Sequence, residues 1–150
     1  TTEIYTLSLH DALPISTYGF LYNYYAVIDE KQICPAGWHV PTREEWLKLI
    51  EYLGGDNIAS SKIRSPGLAY WNHDNGTNSS GFSALGGSWR GDDGAFYYTL
   101  GSGAYWWTNS VFSSLYPFYT YLFSDPNNLR IGYGPYMEKR AGLSVRCVKD

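Results

Sequence analysis

The side chains of this 150-residue chain that could carry chemistry are three histidines, two cysteines and a few acidic loops. His73 lies beside Asp74 in "WNHDNGTN", a pattern that suggests a metal ligand or an acid–base pair and equally an ordinary polar loop. His39 stands between Trp38 and Val40 just ahead of a helix, where its role reads as structural, and His10 belongs to an opening segment of different character. The three do not assemble into a zinc set. Glu44 and Glu45 could be paired carboxylates, but they fall in the first turn of a helix, where the dipole already favours anions. "WRGDDGAF" and "SDPNN" offer oxygens of the kind Ca²⁺ takes, yet neither has the spacing of an EF-hand loop. There is no G-x-S-x-G motif and no phosphate loop, and neither cysteine has a histidine close in sequence. The expectation is a protein without catalytic residues, resident metal or cofactor, with calcium as the alternative the acidic loops leave open.

The two cysteines, Cys34 and Cys147, stand near the start and the end of the chain. Two reduced core thiols are one reading. A bridge between the ends of the domain is the preferred one, and it implies an oxidising compartment and a stabilisation of ~4–5 kcal/mol from closing so long a loop. The formal net charge of −3 supplies no basic field for a phosphate backbone or an anionic lipid surface, so nucleic acid is not an expected partner. No segment is apolar and long enough to insert in a membrane. Aromatic residues are unusually frequent at 18%, and they are broken up by 16 glycines, which argues for β structure and long loops.

The elements that must position these groups are partly legible. In "HVPTREEWLKLIEYLGG", Thr42 and Glu45 form a capping box, Trp46, Leu49, Ile50 and Leu53 recur as one apolar stripe, and Gly54-Gly55 stops the helix. A short second helix fits Ile58 to Arg64. The stretch from Ser65 through "GSGAYWWTNS" is dense in Gly, Asn, Ser and Asp and reads as loops and tight turns. Strand-like pieces follow: "FYTYLFS", "NLRIGYG" and a closing strand "GLSVRCVKD", in which Leu143, Val145 and Cys147 share one side.

The strongest remaining signal is the aromatic belt "AYWWTNSVFSSLYPFYTYLF" and its continuation "RIGYGPYMEK". In a strand, Tyr119, Tyr121 and Phe123 share one face and Phe118, Thr120 and Leu122 the other. Either both faces are covered, or one set of rings is an exposed surface of the Tyr/Asn/Ser type that suits adaptable binding. On the second reading the candidate ligand-binding residues are Asn109, Phe112, Tyr116, Tyr119, Tyr121, Asn127, Arg130, Tyr133 and Tyr136, with Trp106 and Trp107 as framework.

"YGFLYNYYAV", "CPAGWHVPTREEWLKLIEYLGG", "GFSALGGSWRGDDGAF", "AYWWTNS" and "GLSVRCVKD" follow one another in the order found in the Fibrobacter succinogenes major paralogous domain, which residues 18–150 resemble. That family is similar to C-type-lectin-like domains and shares the "PT-x-x-EW" helix and "GGSWR" loop with formylglycine-generating enzymes. The resemblance implies an α+β, C-type-lectin-like fold, two helices flanking small antiparallel sheets with a long loop region. The Glu-Pro-Asn and Trp-Asn-Asp motifs of calcium-dependent lectins have no full counterpart, Trp71-Asn72-His73 and Asp125-Pro126-Asn127 only approaching them. Cys34 and Cys147 match the family's structural cysteines, not the catalytic pair of the formylglycine generators.

Residues 1–16, "TTEIYTLSLHDALPIS", precede that resemblance and stand where family members usually carry a strand-like segment with Trp and Asn-Leu. Thr1 to Ile15 back-translates to the text of a short-read sequencing adaptor, so the segment is expected to be a non-native leader on a domain spanning residues 17–150 whose own upstream strand, with any secretory signal, is missing. The function expected is a non-catalytic bacterial binding module, secreted or surface-displayed, that contacts a glycan or a surface protein through its aromatic C-terminal segment. That segment, Asn109 to Tyr136, fits a region diversified by targeted mutagenesis. The alternatives are an enzyme related to the formylglycine generators and a structural module repeated in a large surface protein.

Overall fold

The structure is a computed structural model that describes residues 15–97, 100–124, 128–135 and 137–150. Two single helical turns open it, α1 (Ile15–Tyr18) and α2 (Tyr24–Val27), the second capped by Asn23, whose Oδ1 accepts from the Ala26 N–H at 3.0 Å. A two-residue strand, β1 (Trp38–His39), leads into α3 (Arg43–Tyr52). The capping box is formed as the spacing requires: the Glu45 N–H donates to Thr42 Oγ1 at 3.2 Å and the Thr42 N–H donates to Glu45 Oε2 at 2.8 Å. Trp46, Ile50 and Leu53 are buried, and Leu49 is half-buried beside them. Helix α4 (Asp56–Ile63) follows directly, starting two residues before the expected Ile58 because Gly55, with φ of 89°, turns the chain straight into a new first turn.

Residues 64–88 form no regular element, as their turn-rich composition predicts. A small hairpin, β2 (Trp89–Arg90) with β3 (Phe96–Tyr97), precedes the main sheet. That sheet is an antiparallel meander, β4 (Gly103–Val111), β5 (Pro117–Phe123) and β6 (Asn128–Gly132), in the order β4-β5-β6. The chain ends in β7 (Val148–Lys149), paired with β1.

The structure corrects the sequence reading at two places. "GSGAYWWTNS" is not loop: it holds the longest strand, β4, whose residues 103–108 are all buried. Glycine and serine at its ends masked a run of aromatic residues that the ladder with β5 draws into the interior. "GLSVRCVKD" is not one strand. Gly142, Leu143 and Ser144 make single bridges to Arg90, Tyr22 and Trp106, and only Val148–Lys149 pairs further, with β1. The segment crosses several neighbours in turn, so no single ladder forms.

Strand alternation divides the interior into two cores. Ala104, Trp106, Leu122, Leu129 and Ile131 project from one face of the sheet onto Trp46, Ile50, Leu53, Ala59 and Ile63 of the two longer helices. Tyr105, Trp107, Tyr119, Tyr121 and Phe123 project from the other, where Tyr24, Val27, Trp89, Met137 and Leu143 meet them. The molecule is thus α+β, with a few helices and small antiparallel sheets, and α3 and α4 lie on the same face of the meander. Both faces are covered, so the aromatic belt is largely core.

Cys34 and Cys147 form a disulfide with Cα atoms 5.9 Å apart across 113 residues of sequence. It lies beside the β1–β7 pair and joins the entry and exit of the domain.

Candidate functional site

A groove of about 660 Å³ opens on the second face of the sheet. Its floor is built by β4 and β5: Tyr105, Tyr119, Tyr121 and Phe123 all point to this side because they share strand parity. One wall is the β2–β3 hairpin, which sets Trp89 directly opposite Tyr97 and stacks their rings at 4.6 Å and 13°. Pro135 and Met137 stand on the other side.

Ring contacts run without a break through the groove. Trp89 touches Tyr105 at 6.1 Å, Tyr105 lies nearly parallel to Tyr121 at 6.4 Å, and Tyr121 meets Phe123 at 5.3 Å and Tyr119 at 5.8 Å. Such spacings are those at which aromatic pairs attract, so the lining is a mutually braced set rather than loose side chains. Two glycines make room for it. A Cβ on Gly132, opposite Tyr119 in the ladder, would come within 2.8 Å of the Tyr119 ring and 3.0 Å of Tyr121. A Cβ on Gly91 would come within 2.5 Å of the Tyr97 ring.

The loop between β2 and β3 supplies the charge. Asp93 accepts from the Ala95 N–H at 2.9 Å and from the Tyr97 hydroxyl at 2.8 Å, and these two bonds, the backbone one first, hold its carboxyl below the usual range. Asp92 lines the groove itself and meets Arg140 Nη2 at 3.4 Å in an exposed ion pair.

The residues singled out from sequence do not form one site. Tyr119 and Tyr121 lie in the groove, half-buried on its floor instead of projecting outward, because Trp89 and Met137 pack against that face. Phe112 and Tyr133 belong to a separate patch at the hairpin tip: their rings stack at 3.9 Å and 19°, each 53% exposed, and Phe118 abuts both edge-on. Arg43 of α3 sits over Phe118 at 5.2 Å. Asn109 is exposed at the end of β4, with its N–H donating to the Pro41 carbonyl at 2.7 Å, and Tyr116 is half-buried in the β4–β5 turn. Arg130 is exposed on β6. Asn127 and Tyr136 lie outside the described residues, as does most of the "SDPNN" loop.

Sequence reasoning missed Trp89, Tyr97 and Tyr105 as lining residues. The signal was there: Trp89 and Tyr97 flank an Asp-Asp-Gly turn, and a hairpin across that turn brings them side by side.

The other reactive groups are engaged by partners within the fold. His39 lies between two carboxylates, Nδ1 at 2.6 Å from Asp150 Oδ1 and Nε2 at 2.9 Å from Glu45 Oε1. The bond to Asp150 first, then that to Glu45, raises its pKa. Asp74 accepts from the Gly67 N–H at 2.8 Å, and His73 reaches Ser124 Oγ at 3.5 Å. Arg64 is fully buried, stacked on Trp71 at 4.5 Å and donating to Asn75 and to the Phe123 and Ser124 carbonyls, and burial lowers its pKa to about 10. Among the described residues, no group of three or more His, Cys, Asp or Glu side chains is arranged to hold a metal ion, and no helix is long and apolar enough to cross a membrane.

No curated protein and no solved structure matches the chain. The family described as the Fibrobacter succinogenes major domain matches residues 2–149, nearly the whole length. The capped α3, the β2–β3 hairpin, β4 and the disulfide-linked chain end are the segments that carry the sequence resemblance, and on this match the chain belongs to the Fibrobacter succinogenes major domain family.

Proposed function

We propose that this chain is a non-catalytic binding module of a secreted or surface-displayed bacterial protein, with a C-type-lectin-like fold, and that its aromatic groove is the contact site for a glycan or a surface protein. The observation that carries the reading is the continuous ring lining from Tyr97 through Trp89 and Tyr105 to Tyr121. Recognition sites are concave, mostly aromatic or apolar, and carry few polar groups, and the groove has this composition. The disulfide supports an oxidising, extracellular setting. The engagement of His39 and Asp93 within their own structural networks favours binding over a reaction related to that of the formylglycine generators.

The test compares the wild type with Tyr121→Phe and Tyr121→Ala on glycan and surface-protein arrays, after melts confirm that each variant folds. Binding kept by the phenylalanine variant and lost by the alanine variant is expected. Binding unchanged in both would move the site to the Phe112–Tyr133 patch.

A further inference from the structure

The groove's chemistry narrows the ligand further, given that it is the binding site. Among the described residues that line it, six are aromatic and Asp92 carries the one formal charge. Aromatic faces present negative quadrupole to whatever enters, and a carboxylate at the mouth adds to the same sign. Within the lining both disfavour an anionic ligand; Arg130, opposite Tyr121 in the ladder, lies outside the lining. Of the four tyrosine hydroxyls in the lining, that of Tyr97 is already committed to Asp93. A compact organic cation finds both of its preferred partners at once, ring faces and a counter-ion.

We propose that the groove receives an organic ammonium group, with Asp92 as its counter-ion and Arg140 as an internal cation that the ligand displaces. Arg140 already occupies the electrostatic position. Its guanidinium reaches Asp92 from outside the lining, at 3.4 Å, with its side chain 66% exposed and that of Asp92 46% exposed. A surface pair of this kind contributes little and exchanges readily. Asp93 does not compete, being bound to Ala95 and Tyr97, and the Arg90 Nε–H donates to the Gly94 carbonyl at 2.9 Å within its own loop. The ammonium can come from a quaternary head group such as choline or from a lysine side chain of a partner protein.

The experiment titrates the oxidised, full chain with choline, with Nα-acetyl-lysine N-methylamide and with 3,3-dimethyl-1-butanol, the uncharged shape-mimic of choline. The Trp89 indole N–H resonance is followed in each titration. One or both ammonium compounds should shift that resonance and saturate, with the neutral mimic about tenfold weaker than choline, as loss of a desolvated cation–π contact requires. Choline alone would identify a quaternary head group, and the lysine amide alone a protein side chain.

Asp92→Asn should weaken ammonium binding several-fold and Arg140→Ala should strengthen it, because the internal competitor is gone. If Asp92→Asn fails to fold, Arg140→Ala still decides. Equal binding of choline and its neutral mimic, no shift at Trp89 with either ammonium, or weaker binding after Arg140→Ala would each overturn the proposal. Array ligands that bind through Tyr121 while neither ammonium binds would leave the groove as the site and remove only this ligand class.

Discussion

His39 Nδ1 lies 2.6 Å from Asp150 Oδ1, 111 residues away, and the contact fastens the chain end to the start of α3. The same imidazole reaches Glu45 through Nε2, and Glu45 is half of the capping box, so helix start, β1 and chain end meet at one ring. A neutral imidazole donates from one nitrogen only, whereas the imidazolium donates to both carboxylates.

The pH dependence follows from the two shifts. His39 is raised above its ordinary 6.5, so its contribution is fully present below that pH and is lost as pH rises through its folded value. Glu45 is lowered: burial alone pushes its carboxyl up, but bonds from the Thr42 backbone, His39 and the Thr42 hydroxyl outweigh it. Its contribution is present above about 4.5 and is lost as pH falls through its folded value. Thermal melts should therefore show a maximum contribution between pH 4.5 and 6.5, and His39→Gln should remove the decline on the alkaline side. An identical alkaline decline in the variant would assign it to another group.

The capping box predicts that Thr42→Ala destabilises the fold by ~1 kcal/mol, through the lost bond to the Glu45 N–H. Denaturant unfolding measures this directly, and Thr42→Ser should recover most of the loss.

Free-thiol titration of the unfolded, unreduced chain should find no reactive thiol, as Cys34 and Cys147 are bonded. Replacing both by serine should lower stability by ~4–5 kcal/mol in the chain-entropy account of a loop this long. A loss under ~1 kcal/mol would mean that residual structure in the unfolded chain already holds its ends together.

Gly132→Ala should cost about 1–3 kcal/mol, because the new methyl group enters the space of the Tyr119 and Tyr121 rings. The near-UV circular dichroism of the tyrosines should change with it. Groove binding should weaken in step, since the floor is displaced. An unchanged aromatic signal would show that the rings yield without strain.

Phe112→Ala separates the two aromatic surfaces. It removes a stacked partner from Tyr133 at the hairpin tip and should cost about 0.5–1.5 kcal/mol beyond lost burial. Binding in the groove should stay at the wild-type level, because the tip lies on the opposite strand parity from Tyr119 and Tyr121.

Local chemistry alone determined several features. The capped α3 with its buried stripe, the glycine stop after it and the strands β5 and β6 were legible because caps, periods and turn residues act over a few positions. The pairing of Cys34 with Cys147 was anticipated from their placement near the two ends of the domain, not from a local pattern. The tertiary structure alone decided which rings are surface and which are core. Tyr119 and Phe112 look alike in sequence, yet one is the floor of a groove and the other half of an exposed stack. Their fates depend on what lies above each face of the sheet: Trp89, delivered by a hairpin thirty residues earlier in the chain, and Arg43, at the start of α3. Strand β4 was hidden for the same reason. Its glycine-flanked run becomes a strand because β5 and both cores enclose it, and burial by distant segments is a property of the whole chain that no short window of residues contains.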